Sequence, residues 1–302
     1  MNGLQIAQRY FNEWGLPYLR SEFPQLSERV AAFIFGFSQS LGNDDELSRD
    51  HAWGPGFEIV LTGEDMRRFG RKLRRSIQAD APRTWLGVRW HPAPNVYSVD
   101  SINRWFSREI GCATPPKSGK EWLKRTKAVH LYMLRHMTTF HDPLGEFSAR
   151  RKAFWYYPKD AWVTRIRDET FQVWHHGQYN FSRTAKRKDP IAIAACLGNF
   201  IERTMTVYLL LSKDYAPYWK WLSAEFRKLP DTGEVVEALE ELTTSKSRRK
   251  QGVLVDFICD DLHSRLLKSK LITGKRSGHP HSLYDASNEL EALASKLERN
   301  GG

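Results

Sequence analysis

Four carboxylates fall within seven residues: Asp44, Asp45, Glu46 and Asp50. A packed core excludes such density. A hard cation such as magnesium seeks it, because several anionic oxygens can share one small divalent charge. Just upstream, Gly36, Ser38, Gln39, Ser40 and Gly42 make a turn of small and polar residues. Backbone N–H groups in such a turn can approach a phosphate closely. Arg49, beside Asp50, can pair with a phosphate or with the acidic loop. Amides for phosphate and carboxylates for a metal are the parts of a phosphoryl- or nucleotidyl-transfer site.

Elements of opposite character must hold these residues. An apolar run, Val30 to Phe35, precedes the turn, and a second, Phe57 to Leu61, follows the loop. The segment therefore reads as strand, turn, acidic loop, strand. This order resembles the signature of the nucleotidyltransferase fold, the polymerase-beta-like superfamily: a Gly-Ser turn after the first strand, then a carboxylate pair leading into the second. More closely, Ser38, Leu41-Gly42, Asp44-Asp45-Glu46, Ser48-Arg49-Asp50-His51 and Trp53-Gly54-Pro55 resemble a block of the domain-of-unknown-function family 4037. Two later stretches resemble further blocks of that family, Phe154 to Trp162 and Lys213 to Trp221. Two positions depart from the pattern. Phe37 stands where the family has Gly, and Ala52 stands where the second metal carboxylate is expected.

The resemblance implies a magnesium-dependent enzyme that moves a nucleoside monophosphate from a nucleoside triphosphate to an acceptor of unknown identity. It assigns phosphate binding to Ser38 with Gly36 and Gln39 of the turn, and Arg49 joins them as a nucleotide-binding residue. Asp50 takes the first metal position. Ala52 cannot bind metal, so Asp45 and Glu46 are the nearby substitutes, and Asp100 is the candidate third carboxylate from a later strand. Asp50 and Asp100 are thus the expected catalytic pair. The rival reading is a catalytically silent relative that binds nucleotide or nucleic acid, and Ala52 is the feature that supports it.

The expected fold is α+β: a nucleotidyltransferase-like α/β domain with a short mixed sheet over residues 1–113, followed by an all-α helical domain over 121–302. Candidate strands are Val30–Phe35, Phe57–Thr62, Leu86–Trp90 and Val96–Val99. A helix is expected from Gly63 to Gln78, with Glu64 and Asp65 in its first turn and a basic last turn that complement the helix dipole. The N-terminal helix should break at Gly15 and Pro17. From 121 onward apolar residues recur at three and four, which predicts helices at 121–139, 144–154, 158–175, 189–212, 214–229, 232–243, 249–268 and 282–299.

With 46 Lys and Arg against 35 Asp and Glu, the net charge of +11 favours anionic partners and admits nucleic acid among them. Arg183, Lys186, Arg187 and Lys188 form one basic run that could contact a polyanion. Three scattered cysteines without a Cys-x-x-Cys spacing argue against a zinc site or a disulfide framework and suit the cytoplasm. No basic start with a long apolar run and no membrane-span-length segment is visible, so no membrane partner is expected. His175-His176 are adjacent and point apart on a helix, which does not suit one metal. Lys117-Ser118-Gly119-Lys120 lacks the P-loop spacing.

Overall fold

Val30–Phe35 is apolar at every position because the strand inside it is covered on both faces. In a computed structural model describing residues 1–49, 53–82, 84–89 and 98–300, the strand spans Ala31–Phe33 (β1) and is wholly buried. β1 pairs antiparallel with Glu58–Leu61 (β2), with Ala31 opposite Val60 and Phe33 opposite Glu58. β2 pairs in parallel with Val99–Ser101 (β5), which sets Val60 opposite Asp100. Thr139–His141 (β6) closes the other edge against β1. The order is β5-β2-β1-β6, a small mixed sheet. A separate two-residue hairpin joins Thr84–Trp85 (β3) to Val88–Arg89 (β4). Its two turn residues, Leu86 and Gly87, both have positive φ, as a tight hairpin turn demands, and Leu86 bears the strain of a side chain there. The expected strands at Leu86–Trp90 and Val96–Val99 fall partly outside the described residues.

Parallel strands need a crossover, and the helix Gly63–Asp80 lies within it. Thr62 caps this helix by accepting the Asp65 N–H at 3.1 Å. The Asp65 carboxylate is 3% exposed and takes hydrogen bonds from Thr62 Oγ1 and Arg29 Nε, each at 2.9 Å. Leu73 and Ile77 of the same helix enter the core with Tyr10, Phe11, Phe57 and Ile59. The N-terminal helix does not break at Gly15 as expected. It passes through a π turn, Phe11–Gly15, into the helix Leu16–Glu22; Pro17, which has no N–H to give to the preceding turn, follows directly on that π turn. Gly15 is needed for packing: a Cβ there would lie 2.8 Å from the Phe57 ring.

The chain divides into two units, residues 1–116 with 125–155, and residues 117–124 with 156–302. The first unit therefore takes in 125–155, which the periodicity had grouped with the helical part from 121. The expected helix 121–139 is instead two helices, Gly119–Arg125 and Ala128–His136, followed by β6. Thr139 and Phe140 favour extended backbone, and β1 offers them a free edge. Phe147, on the helix Glu146–Ala153, stacks on Phe33 of β1 with ring centroids 4.3 Å apart. Trp105 and Phe106 pack edge-on and tilted around Phe147.

The second unit is helical at every described element. Its long segments are Lys159–Trp174, Pro190–Leu211, Arg248–Lys268 and Ser282–Asn300, close to the expected spans. Lys159–Trp174 continues through a π segment, His175–Phe181, into Ser182–Arg187. Lys188 then turns the chain in a left-handed conformation, φ 57°. Asp189 caps the next helix by accepting the N–H groups of Ile191 and Ala192. Among the described residues, no helix is long and apolar enough to cross a membrane.

The place of 125–155 in the first unit has a direct consequence. Phe147→Ala should cost about 3–5 kcal/mol of stability, the usual loss for a fully buried Phe, read by urea unfolding. A loss below about 1 kcal/mol would show that this segment does not share the core of the sheet.

Candidate functional site

The turn after β1 begins at Gly36, with φ 85° and ψ 166°, a conformation that a side chain would strain. It lets the chain leave the strand and enter the short helix Phe37–Ser40. Ser38 is partly buried, and its carbonyl accepts the N–H groups of Leu41 and Asn43. Gly42, φ 69°, closes the turn.

Gln39 does not face a ligand. It is 1% exposed; its Nε2 donates to the carbonyls of Gly3 and Gly54, each at 2.8 Å, and its Oε1 accepts the Gly54 N–H at 3.0 Å. A buried amide must satisfy its hydrogen bonds, and here backbone uses them all. Its side chain thus fastens the turn to the N-terminal helix and to the loop before β2, and the expectation that the amides of this turn meet a phosphate does not draw on it.

The acidic loop separates into inward and outward carboxylates. Asp44 is 5% exposed, and its Oδ2 accepts the Gly3 N–H at 2.6 Å and Trp53 Nε1 at 2.8 Å. That places its charge at the N-terminus of the helix Gly3–Tyr10, where the helix dipole favours an anion. Asp45 and Glu46 are exposed. Asp45 Oδ1 accepts the Ser48 N–H at 2.8 Å, and Glu46 opens the 3-10 turn Glu46–Arg49. Both are on the solvent side, and they are the residues of the described loop that could hold a hard cation. Arg49 lays its guanidinium 5.0 Å from the Trp53 ring centroid and donates to the Asp44 carbonyl. Asp50, His51 and Ala52 lie outside the described residues. Among the described residues, no three His, Cys, Asp or Glu side chains form a metal cluster.

Asp100 is held by cations and backbone rather than standing open. Its Oδ2 lies 2.5 Å from Arg108 Nη1, its Oδ1 accepts the Ser101 N–H at 2.9 Å, and Arg104 Nε is 3.8 Å away. A carboxylate buried in a sheet needs this compensation. Asp100, expected as a catalytic carboxylate, thus stands with a donor on each of its oxygens.

The neighbouring strand contributes an acid that the sequence did not single out. Glu58 of β2 accepts hydrogen bonds on Oε2 from Ser98 Oγ at 2.8 Å and Trp105 Nε1 at 3.0 Å, and Arg108 Nη2 is 3.8 Å away. Burial pushes its carboxyl up to about 7; the bonds from Ser98 and Trp105 oppose the shift, Glu109 adds to it and Arg108 opposes it. Desolvation prevails over the guanidinium because the nearest nitrogen is beyond hydrogen-bond reach. Arg108 also grips Glu109 at 2.6 Å, and Glu109 in turn faces His130 Nδ1 at 3.5 Å. Burial alone would lower the Arg108 guanidinium, but Glu109, Asp100 and Glu58 together hold it above its ordinary value. The only hint in the sequence was one Glu inside the apolar run from Phe57 to Leu61.

In the second unit, the first of the two later sequence blocks fastens to one backbone oxygen, and the second packs against it through Tyr215 and Lys213. Tyr156 Oη and Trp162 Nε1 both donate to the Leu210 carbonyl, at 2.9 and 2.8 Å. Tyr215 is fully buried and packs against Tyr156 and Tyr157, with centroids 5.2 and 4.7 Å apart. Lys213 sits in a left-handed conformation, φ 59°, with its ammonium 2.7 Å from the Trp162 ring centroid. Burial, and then Lys159, lower its pKa.

Residues 122–222 match the family model described as a domain of unknown function, DUF4037. The matched stretch contains both of these blocks, and the segment 36–56 lies before it. A solved structure described as a nucleotidyltransferase-like protein from Exiguobacterium sibiricum 255-15 is 10% identical; the alignment covers 97% of this chain and 91% of that one with a TM-score of 0.41. No curated protein matches the chain. Within the DUF4037 stretch, Tyr156, Tyr157, Trp162 and Tyr215 form packing and hydrogen bonds within the helical unit.

Glu58 makes the first unit pH-sensitive. The folded carboxyl keeps its proton up to about pH 7, whereas 4.5 is its ordinary value. Its contribution to stability is therefore full below pH 4.5 and is lost as pH rises through 7. Glu58→Gln keeps an acceptor for Ser98 and Trp105 and removes the buried charge. Between about pH 5 and pH 8 the variant should gain about 2–3 kcal/mol on wild type in urea melts. A constant gap across that range would refute the raised carboxyl.

Proposed function

We propose that this protein is a magnesium-dependent nucleotidyltransferase. The reading is carried by one observation: a strand that ends in a positive-φ glycine, a short helix bearing Ser38, an acidic turn with Asp45 and Glu46 outward, and a return into β2. The resemblance of residues 36–56 to the nucleotidyltransferase signature supports it, as does the DUF4037 match further along. Ser38 and the amides of its turn bind the triphosphate, and Arg49 pairs with a phosphate from the edge of the loop. Asp50, with Asp45 and Glu46 beside it, holds the metal. Magnesium bound there would neutralise the triphosphate and favour departure of pyrophosphate.

A catalytically silent relative that binds nucleotide or nucleic acid is the second reading. Two observations favour it: Ala52 lacks a metal-binding side chain, and Asp100 is engaged by Arg108, Arg104 and the Ser101 N–H.

Calorimetry with non-hydrolysable triphosphates should detect binding that strengthens with magnesium. No heat for any of the four bases, with or without the metal, would end the enzyme reading and leave of the rival only a nucleic-acid binder. Asp50→Asn should weaken the magnesium-dependent part about tenfold or more and leave the melting temperature of the metal-free protein level or higher, since it removes like-charge repulsion. A large drop in melting temperature would make Asp50 structural. Pyrophosphate release over a panel of sugars, aminoglycosides and RNA ends separates the two readings. Release by wild type that Asp50→Asn abolishes supports the enzyme. Release that appears only in Ala52→Asp supports the silent relative.

A further inference from the structure

The continuous helical stretch 159–187 of the second unit carries a pattern that nucleotidyl transfer does not use. Arg167, Phe171, His175, Tyr179, Arg183 and Arg187 recur at every fourth residue. In a regular α-helix, four residues overshoot one turn, so such a series would wind around the cylinder. The wider turns of the π segment His175–Phe181 take back part of that drift. The middle of the series therefore stays on one line. Phe171 stacks on His175 with centroids 5.7 Å apart and planes 13° apart, and His175 stacks on Tyr179 at 5.8 Å and 23°. The Arg183 guanidinium covers the Tyr179 ring at 3.7 Å.

The two ends of this ladder differ. At the C-terminal end, Arg183, Lys186, Arg187 and Lys188 are all exposed, and none makes an ion pair among the described residues. At the N-terminal end, Phe171 is 43% exposed and has a stacked ring neighbour in His175. It lines an open cleft of about 800 Å³, together with Arg165, Arg167, Gln172, Arg203 and Asn288. Three carboxylates balance the three cleft arginines: Glu169 pairs with Arg165 and Arg203, while Asp168 and Glu291 pair with Arg167. The cleft thus offers shape, amides and an aromatic ring, and the field for an anion comes from 183–188. From Phe171 to Arg183 the rise is about 18 Å, the reach of a short oligonucleotide.

We infer that this helix face binds single-stranded nucleic acid, with a base stacked on Phe171 in the cleft and the backbone phosphates running toward Arg183, Lys186, Arg187 and Lys188. Unpaired cations supply the sequence-independent attraction, and a partly exposed aromatic ring accepts an unpaired base that a duplex keeps stacked inside. The inference is independent of the nucleotidyl-transfer reading, because it requires neither triphosphate nor metal.

The test is fluorescence anisotropy of the full chain with a labelled single strand of about 20 nucleotides, as RNA and as DNA, and with the corresponding duplex, in the absence of magnesium and triphosphate. Single strands should bind better than duplex. Phe171→Leu, which keeps an apolar side chain, should weaken single-strand binding about tenfold. Replacing Arg183, Lys186, Arg187 and Lys188 together by Ala should flatten the dependence of log affinity on log salt by roughly 3. Unchanged melting temperatures verify that both variants fold, and Tyr179→Leu serves as a second ladder variant. A preference for RNA over DNA, or the reverse, identifies the natural strand. No binding, equal binding of duplex, or a loss confined to the charge variant would overturn the inference, the last leaving only a nonspecific polyanion patch.

Discussion

Arg108 is the charge on which the first unit depends. The parallel pairing of β2 with β5 brings Glu58 and Asp100 into neighbouring strands of one small sheet. Buried carboxylates are costly without a cation. The helix Ile102–Glu109 starts immediately after β5, capped by Ser101, and two turns later delivers Arg108 back to both strands. Its three acidic partners stand at different distances. Asp100 is in direct contact. Glu109 is held below its usual range by His130 and Arg108 against the pull of burial. Glu58, farther from the guanidinium, is left with a carboxyl that burial dominates.

The turn region follows a related logic on a smaller scale. Gln39 and Asp44 point inward and stitch the N-terminal helix to the loop before β2, through Gly3, Trp53 and Gly54. A side chain at Gly3 would collide with Trp53 and Gln39, so the close approach needs glycine. With these two residues anchoring the loop, Ser38, Asp45 and Glu46 are presented from a fixed frame. In the helical unit, one carbonyl plays the corresponding part. Leu210 O gathers Tyr156 and Trp162, and the left-handed Lys213 just beyond the helix end closes over the Trp162 ring.

Much of this was legible along the chain. Local signals suffice for helix starts and stops, so the helices at 63–80, 190–211, 248–268 and 282–300 fall within a residue or two of their patterns. The strand–turn–acidic loop–strand order was equally plain, since apolar runs and small polar residues mark its borders. Position 52 was informative by type alone, because alanine has no oxygen to offer a metal. The sequence was misleading where a local rule met a tertiary opportunity. Gly15 breaks no helix, because a π turn absorbs it beside Phe57. Residues 139–141 form a strand, because β1 has an open edge.

The sequence by itself determined the inventory: which segments are helices, where the small turn lies, which side chains carry charge, and that the chain is α+β. Only the tertiary structure decided which of those charges face solvent and which are spent on the fold. Asp44 and Asp45 are adjacent and chemically identical, yet one clamps a helix N-terminus and the other is exposed. Asp100 looked like a free carboxylate until Arg108 was found against it, eight residues later in sequence and one helix away in space. Glu58 was no more than one Glu within an apolar run, and only burial among its tertiary neighbours raises its pKa. Hydrogen bonding and desolvation depend on neighbours brought together across the chain, and the order of residues does not encode those distances locally.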